Sequence, residues 1–524
     1  MDARYSLIRT IVGTITNTVN PIRLRSSATT APAVASGQLA KLRRVLRHGF
    51  LAGLIVLGNA PANAATEGLK IPNLGASSTS LFSADFEYQL GRDWLKMFRG
   101  QVPTVNDPLL YSYLENIVFE LVTHSELQDR RIELVIVDNP TINAFAVPGG
   151  VIGVHNGLFQ YAQTEDEFAT VIAHEIAHLS QRHFSRGVEL SQAQAPLNIA
   201  GLLAGILLAA TAGTDAGMAA LTATQAALQD QQLRYSRANE AEADRIGLRT
   251  LYAAGMDPYA APTMFERMLA ATRYSSSKYI PEFMRSHPLS EKRIADTRNR
   301  AMQYPRRIRP VNLDYQLMRA RVANSLADTP EQAVAMFRDQ LDGIPRSREA
   351  ATYGLVLALT SAGRPDEAAL TLDSIWSGSA DRIAYVLADA DIDLARGEPK
   401  RAADKLARRL QLSPGNHPLT MAYAYALQQA GDAHIAEEVL VAQSKRKPND
   451  PYLWYLLAEV QGLSGNIIGL HRARAEYFIL NGNLDAAQRQ LNYAVQLLND
   501  DFTTSSLINE RLRDISRMRA ALDR

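Results

Sequence analysis

Glycines at 363, 397, 431 and 465 stand 34 residues apart, in a stretch where alanine and leucine recur at helical spacing. A fixed period of that length marks a helix–turn–helix unit stacked on copies of itself, because one such unit cannot bury its apolar face alone. A small residue belongs at the tight contact between the paired helices, and Ala368, Ala402 and Ala436 keep one register, five residues after each glycine, where the buried face of the second helix begins. Pro414, Pro448 and Pro451 read as helix stops at the unit ends. Gly482 follows Gly465 by only 17 residues and breaks the period, so the last units are irregular or capping. The pattern predicts an α-solenoid over 313–524 with a concave groove suited to binding protein segments.

Upstream lies a different kind of signal, His174-Glu175-Ile176-Ala177-His178, followed by Glu240-Ala241-Glu242-Ala243-Asp244. On a helix the two histidines stand one turn apart on one face, with Glu175 offset toward a water on the shared cation. A catalytic zinc site needs three protein ligands and an open position, and Glu240 on a second helix is the expected third ligand. Glu242 is the weaker candidate, since it lies roughly 200° round from Glu240, whereas Asp244 shares the face of Glu240 and can accept a ligand histidine's second N–H. Thr164 and Glu167 form a T-x-x-E capping box that opens the first helix, and Phe168, Val171 and Ile172 recur along its buried side. His183, about 140° round from His178, reads as structural. Tyr235, Arg237 and Arg245 flank the second helix within reach of substrate or Asp244. The expected chemistry is metal-assisted peptide hydrolysis with one zinc per chain and Glu175 as the proton carrier.

These motifs, with Asn143-Ala144-Phe145-Ala146 before Pro148-Gly149-Gly150, resemble the HtpX and CAAX-prenyl-endopeptidase family over roughly 140–295. Ser286-His287-Pro288-Leu289 with Arg293-Ile294 repeats that family's later motif, in which a His and an Arg face the metal. Two roles stay open for His287: donor to the oxyanion with Arg293 beside it, or a reversible fourth ligand that keeps the enzyme latent. The resemblance implies an α+β gluzincin-like peptidase domain with a small sheet, in a mainly α protein. It also carries Asn143 toward substrate, against a plain role as a turn residue at the strand end. The 34-residue units are those of tetratricopeptide repeats. Together the two parts imply misassembled outer-membrane proteins as substrates and the machinery that inserts their barrels as partner. The alternative is a chaperone or adaptor for outer-membrane protein assembly with a largely latent protease site.

Between these landmarks the chain reads simply. Asp107 caps a helix with Pro108 at its first position and Leu109, Leu110, Tyr113, Leu114 and Ile117 on one face. Ile132, Leu134 and Ile136 alternate in a strand, and Val147 to Val154 reads as a second one whose neighbouring edge could pair with an extended substrate. The expected division is 1–64, an N-terminal extension and signal peptide; 65–305, the peptidase; and 313–524, the repeats. Lys41, Arg43, Arg44 and Arg47 precede the apolar run Phe50 to Leu57, and Ala62-Asn63-Ala64 supplies a cleavage site, which places the mature start near Ala65 and predicts export; the resemblance implies the periplasm of a Gram-negative bacterium as its destination. The upstream residues 1–40 resemble a mis-assigned translation start, and residues 67–80 a linker. Leu197 to Ala212 is apolar but interrupted by Asn198 and short of the ~20 residues a bilayer span requires, so it reads as a helical hairpin over the active site or touching a membrane. A formal net charge of +1 gives no pull toward nucleic acid, and no phosphate-binding or dinucleotide glycine loop is present. The absence of cysteine excludes disulfides and thiolate ligands.

Overall fold

In this computed structural model, the structure describes residues 83–186, 237–274, 282–376, 382–498 and 501–522. The signal segment, the translation start, the linker at 67–80, the run 197–212 and Tyr235 lie outside the described residues. Among those described, no helix is long and apolar enough to cross a membrane.

The first part is a three-stranded sheet between helices. Helix α1 (Ala84–Gln101) starts at Ser83, whose side chain accepts from Phe86 N–H, and buries Trp94, Leu95 and Phe98 on one sheet face. Helix α2 (Pro108–Thr123) has the expected cap, with Asp107 accepting from Leu109 and Leu110 N–H, and Pro108 at its first turn. Strands β1 (Glu133–Val137), β2 (Ala144–Val147) and β3 (Val151–His155) order as β1-β3-β2, with β1 parallel and β2 antiparallel to β3. Strand alternation sorts the side chains: Val135, Val137, Val147 and Val151 meet α1, while Leu134, Ile136, Ala144, Ile152 and Val154 join the main core.

The stretch 147–154 is therefore not one strand. Gly149 and Gly150 take φ of +84° and +78°, a conformation open to residues without a Cβ, and fold it into a hairpin. Helix α3 (Gly157–Tyr161) leads into α4 (Glu165–Ser180), which is buried on all sides from Asp166 to His178. Thr164 accepts from Glu167 N–H as the capping box requires, but the Glu167 carboxylate reaches one residue further back, accepting from Gln163 N–H at 2.6 Å. Helices α5 (Arg237–Ala253), α6 (Ala260–Tyr274), α7 (Glu282–Ser286) and α8 (Glu291–Ala301) complete this part.

From Leu313 to Leu522 the described residues form paired helices, beginning with α9 (Leu313–Leu326). The periodic glycines each follow the first helix of a pair, and their role differs from the expected one. At Gly363, Gly397, Gly431 and Gly465 a Cβ would meet nothing within 4 Å, but every φ is positive. At Gly431 the left-handed cap lets Asp432 N–H reach back to Leu427 C=O, closing the helix. The tight contact belongs to the alanines: Ala368, Ala402 and Ala436 are fully buried. Pro451 likewise opens a helix, Pro451–Ser464, instead of stopping one, because its missing N–H is unneeded in the first turn.

The repeats share a core with the first part. Tyr315 of α9 lies 5.8 Å from Phe168 and 6.2 Å from Phe159 between ring centres, and its hydroxyl donates to Ala162 C=O. Arg319 donates to Phe159 and Gln160 carbonyls. Further along, Lys447 pairs with Glu115 at 2.8 Å. Gly482 comes against α1 so closely that a Cβ would stand 2.8 Å from Lys96 C=O.

Gly397 and Gly482 separate two costs. Gly397→Ala is expected to lose about 1–2 kcal/mol of unfolding free energy from its left-handed backbone alone. Gly482→Ala adds steric overlap with α1, typically worth about 1–3 kcal/mol more. Equal losses for the two variants in chemical denaturation would mean that α1 and the repeats are not in tight contact.

Candidate metal centre

Helices α4 and α5 bring the site together because they touch backbone to backbone. A Cβ on Gly247 of α5 would stand 3.1 Å from the His174 amide nitrogen. That approach places Glu240 beside both histidines. His174 Nε2 and His178 Nε2 are 3.0 Å apart, and the two oxygens of Glu240 lie 3.6 and 3.5 Å from them. His287, on the turn after α7, brings Nδ1 to 3.4 Å from His174 Nε2 and 3.0 Å from Glu240. Ligand atoms of all four residues fall within 4.8 Å of one another, and all four are buried.

This arrangement fits a zinc-sized ion. A tetrahedral site with bonds near 2.0 Å has edges of about 3.3 Å, close to the spacings within the His174, His178 and Glu240 set. Two imidazole nitrogens facing each other at 3.0 Å, with a carboxylate at similar range, call for one shared cation. The donor set of nitrogen and carboxylate, without thiolate, is that of a catalytic site. Glu175 is also buried; its carboxylate meets the Ala146 backbone and faces His287 Nε2 at 3.5 Å.

Charges around the centre are matched. His174 Nδ1 lies 3.0 Å from Asp244, the contact expected of a carboxylate behind a ligand histidine. Asp244 is in turn gripped by Arg293 through two bonds of 2.8 Å. Burial disfavours the Asp244 charge, yet the His174 and Arg293 contacts outweigh it and hold the carboxyl below its usual range. Burial likewise opposes a charged His174, but Asp244 and Glu240 lift its pKa to about 9, so the metal-free ring carries a proton that a cation would replace. Burial, with His174 and His287 nearby, pushes His178 well down. Burial raises the Glu175 carboxyl.

Several expectations need revision. Arg293 turns to the α5 carboxylates: besides Asp244, its guanidinium meets Glu240 at 2.8 Å and donates to Pro288 C=O. Asn143 is buried immediately before β2 with its amide 3.3 Å from His155 Nε2. Its carbonyl accepts from His155 N–H. His183 does not point away from the ligands. Helix α4 stops at Ser180, and the turn brings the His183 ring to 2.8 Å from His178 Nδ1. Glu242 then meets His183 at 3.0 Å. Arg237 is exposed, and Arg245 faces Glu242 at 3.8 Å, not Asp244. Gly247 and Phe283 went unread in the sequence; Phe283 stacks on His287 at 4.7 Å, and an isolated glycine inside a helical pattern was the available hint for Gly247.

The comparisons agree with this geometry. The model of peptidase family M48 matches residues 108–301, and a tetratricopeptide-repeat model matches 393–460. The β-barrel assembly-enhancing protease of Escherichia coli (strain K12) is 35% identical over 457 residues, covering 86% of this chain and 93% of that protein. Its Yersinia pestis counterpart is 33% identical over 84% of this chain and 91% of its own. The mitochondrial metalloendopeptidase OMA1 of Schizosaccharomyces pombe is 32% identical over 40% of this chain and 60% of its own.

Arg293 supplies a direct check on the centre. Arg293→Ala leaves Asp244 and Glu240 without their clamp and is expected to weaken binding of a divalent metal roughly 10–100-fold in chelator competition. Unchanged affinity would show that the guanidinium has no part in holding the ligands.

Proposed function

The chain belongs to peptidase family M48, with the β-barrel assembly-enhancing proteases, and from that premise we propose an exported zinc endopeptidase that degrades misfolded or misassembled envelope proteins. The observation that carries the reading is the buried His174, His178 and Glu240 set with Glu175 one residue along the same helix. A bound zinc would supply a Lewis acid and a water of lowered pKa. Glu175 takes the proton of the attacking water and returns it to the leaving amine. Asp244, held by Arg293, fixes the ring of His174. The outer strand β2 packs beside α4, so an extended substrate added along it would pass Glu175.

His287 serves as a latch in this reading. Its Nδ1 occupies the fourth position around the ligand set, and its Nε2 faces Glu175, so one ring covers both the place for water and the base that activates it. Any oxyanion role requires it to leave that position first. The repeats (313–524) are assigned to binding unfolded substrates or the outer-membrane barrel assembly machinery, which raises local substrate concentration at the peptidase (65–305). Periplasmic location, after cleavage near Ala64 and Ala65, is supported by the basic and apolar segment at 41–65 and by the similarity to β-barrel assembly-enhancing proteases. Peripheral contact with a membrane is compatible with this placement. The same latch favours a second reading, an assembly adaptor whose protease site stays shut.

One assay separates these readings. With zinc near one per chain, Glu175→Gln is expected to lower cleavage of an unfolded protein by about 10²–10⁴-fold while zinc stays bound. His287→Ala is expected to raise it. A His287→Ala rate equal to or below wild type would refute the latch. Zinc binding without cleavage in any variant would favour the adaptor.

A further inference from the structure

The turn after α4 is the one place among the described residues where a residue other than glycine takes a left-handed backbone: Arg182, at φ +51°. Such a conformation is disfavoured for an L side chain and persists only where its surroundings impose it. Here α1 imposes it. Arg182 Nη2 donates to Glu87 at 2.6 Å, and the Ser185 hydroxyl donates to the same carboxylate oxygen. The result is that α4 ends at a two-residue turn, and His183 just beyond it lies against His178.

The His183 side chain is fully buried there, edge-on to His178 with ring centres 4.8 Å apart. Its Nδ1 faces His178 Nδ1 at 2.8 Å, and its Nε2 faces Glu242 at 3.0 Å. Glu242 also accepts from Arg186 at 3.1 Å. A histidine that gives Nε2 to a metal carries its proton on Nδ1, so His178 must donate there. The acceptor available on that side is His183 Nδ1, which puts the His183 proton on Nε2, pointing at the Glu242 carboxylate. Hydrogen positions follow from this network. The opposite assignment would direct a His178 proton at the other ligands and set a bare His183 Nε2 lone pair against a carboxylate.

We infer that His183 and Glu242 form a positioning relay behind His178, which fixes the tautomer that ligates through Nε2 and strengthens that nitrogen as a donor. The inference rests on the metallopeptidase reading. It gives α5 a consistent division of labour: Glu240 is a ligand, Asp244 backs His174 directly, and Glu242 backs His178 through one intervening ring. It also supplies a reason for the strained turn at Arg182.

The test uses the full chain loaded with zinc and follows transfer of zinc to a chromogenic chelator, with the melting temperature of the metal-free protein measured alongside. His183→Leu is expected to release zinc roughly 10–100-fold faster than wild type, the usual effect of losing a partner behind a ligand. Glu242→Gln, at a partly exposed position that the fold tolerates, should accelerate release by a smaller factor. His183→Asn, whose Oδ1 can accept in place of Nδ1, should restore release to within a few-fold of wild type without matching it. The relay is overturned if Glu242→Gln and His183→Leu release zinc at the wild-type rate. It is equally overturned if His183→Asn is as fast as His183→Leu, since His183 would then act through packing alone. A wild-type chain that holds no zinc would instead take down the metallopeptidase reading, and the relay with it.

Discussion

The backbone contact between α4 and α5 at Gly247 is the constraint on which the rest of the centre depends. Glu240 is short of the histidines if the helices sit at an ordinary spacing, where a Cβ or larger side chain separates them. With hydrogen in that place, α5 lies directly on Ala173 and His174, and the carboxylates of Asp244 and Glu240, about one and two helical turns up from Gly247, reach the imidazoles. The contact also sets the electrostatic problem. Three carboxylates, those of Glu175, Glu240 and Asp244, are buried within a few ångströms of each other's partners, in a region that desolvates them. Arg293 answers part of that charge through Asp244 and Glu240. The remainder falls on the imidazoles or on a cation, and unpaired charge at such depth is costly enough that the centre is built around one or the other.

How much of this was legible in the sequence follows from how local each feature is. The HEIAH helix, the Asp107 cap and the alanine register depend on spacing within one or two helical turns, and all are found where the spacing put them. The solenoid was legible for the same reason, although the glycine's role was misread: the period reports a left-handed cap, not a close contact. His183 was misplaced because helical geometry was carried past Ser180, and nothing in the local sequence says that Arg182 will turn left-handed; Glu87, some ninety residues upstream, decides that. Asn143 and Arg293 were assigned by resemblance to motif positions, which fixes where a residue stands in the chain but not which way its side chain is spent. The attachment of the repeats was invisible, since Lys447 and Glu115 are 332 residues apart.

That attachment bears on how the protein could act. Tyr315 shares an aromatic cluster with Phe159 and Phe168, and Phe168 lies on the same helix as the ligand histidines. The first repeat is thus part of the peptidase core, while Gly482 ties the far end of the array to α1. A solenoid anchored near both ends holds its surface at a fixed place relative to the ligands, so in the proposed reading a captured chain would be delivered by position and not by a swinging domain. The same anchoring makes a domain-scale motion a poor way to open the centre.

A local motion is better suited, and the segment around His287 has the parts for one. His287 and Arg293 are six residues apart and do opposite jobs in the proposed cycle, one blocking the centre and the other holding it. Arg293 is fixed at the first turn of α8, where Ser290 caps the helix by accepting from Arg293 N–H, and its guanidinium is bound to Asp244. His287 follows α7, only five residues long, with Phe283 stacked against its ring and its Nδ1 3.0 Å from Glu240. Between them lie Pro288 and Leu289, outside either helix. Displacing α7 with His287 would break that stack, draw Phe283 from the core and part His287 from Glu240, whereas moving α8 would break the clamp on both α5 carboxylates. The clamp on the α5 carboxylates does not pass through α7, so in the proposed cycle Glu240 and Asp244 can stay in place while the fourth position opens.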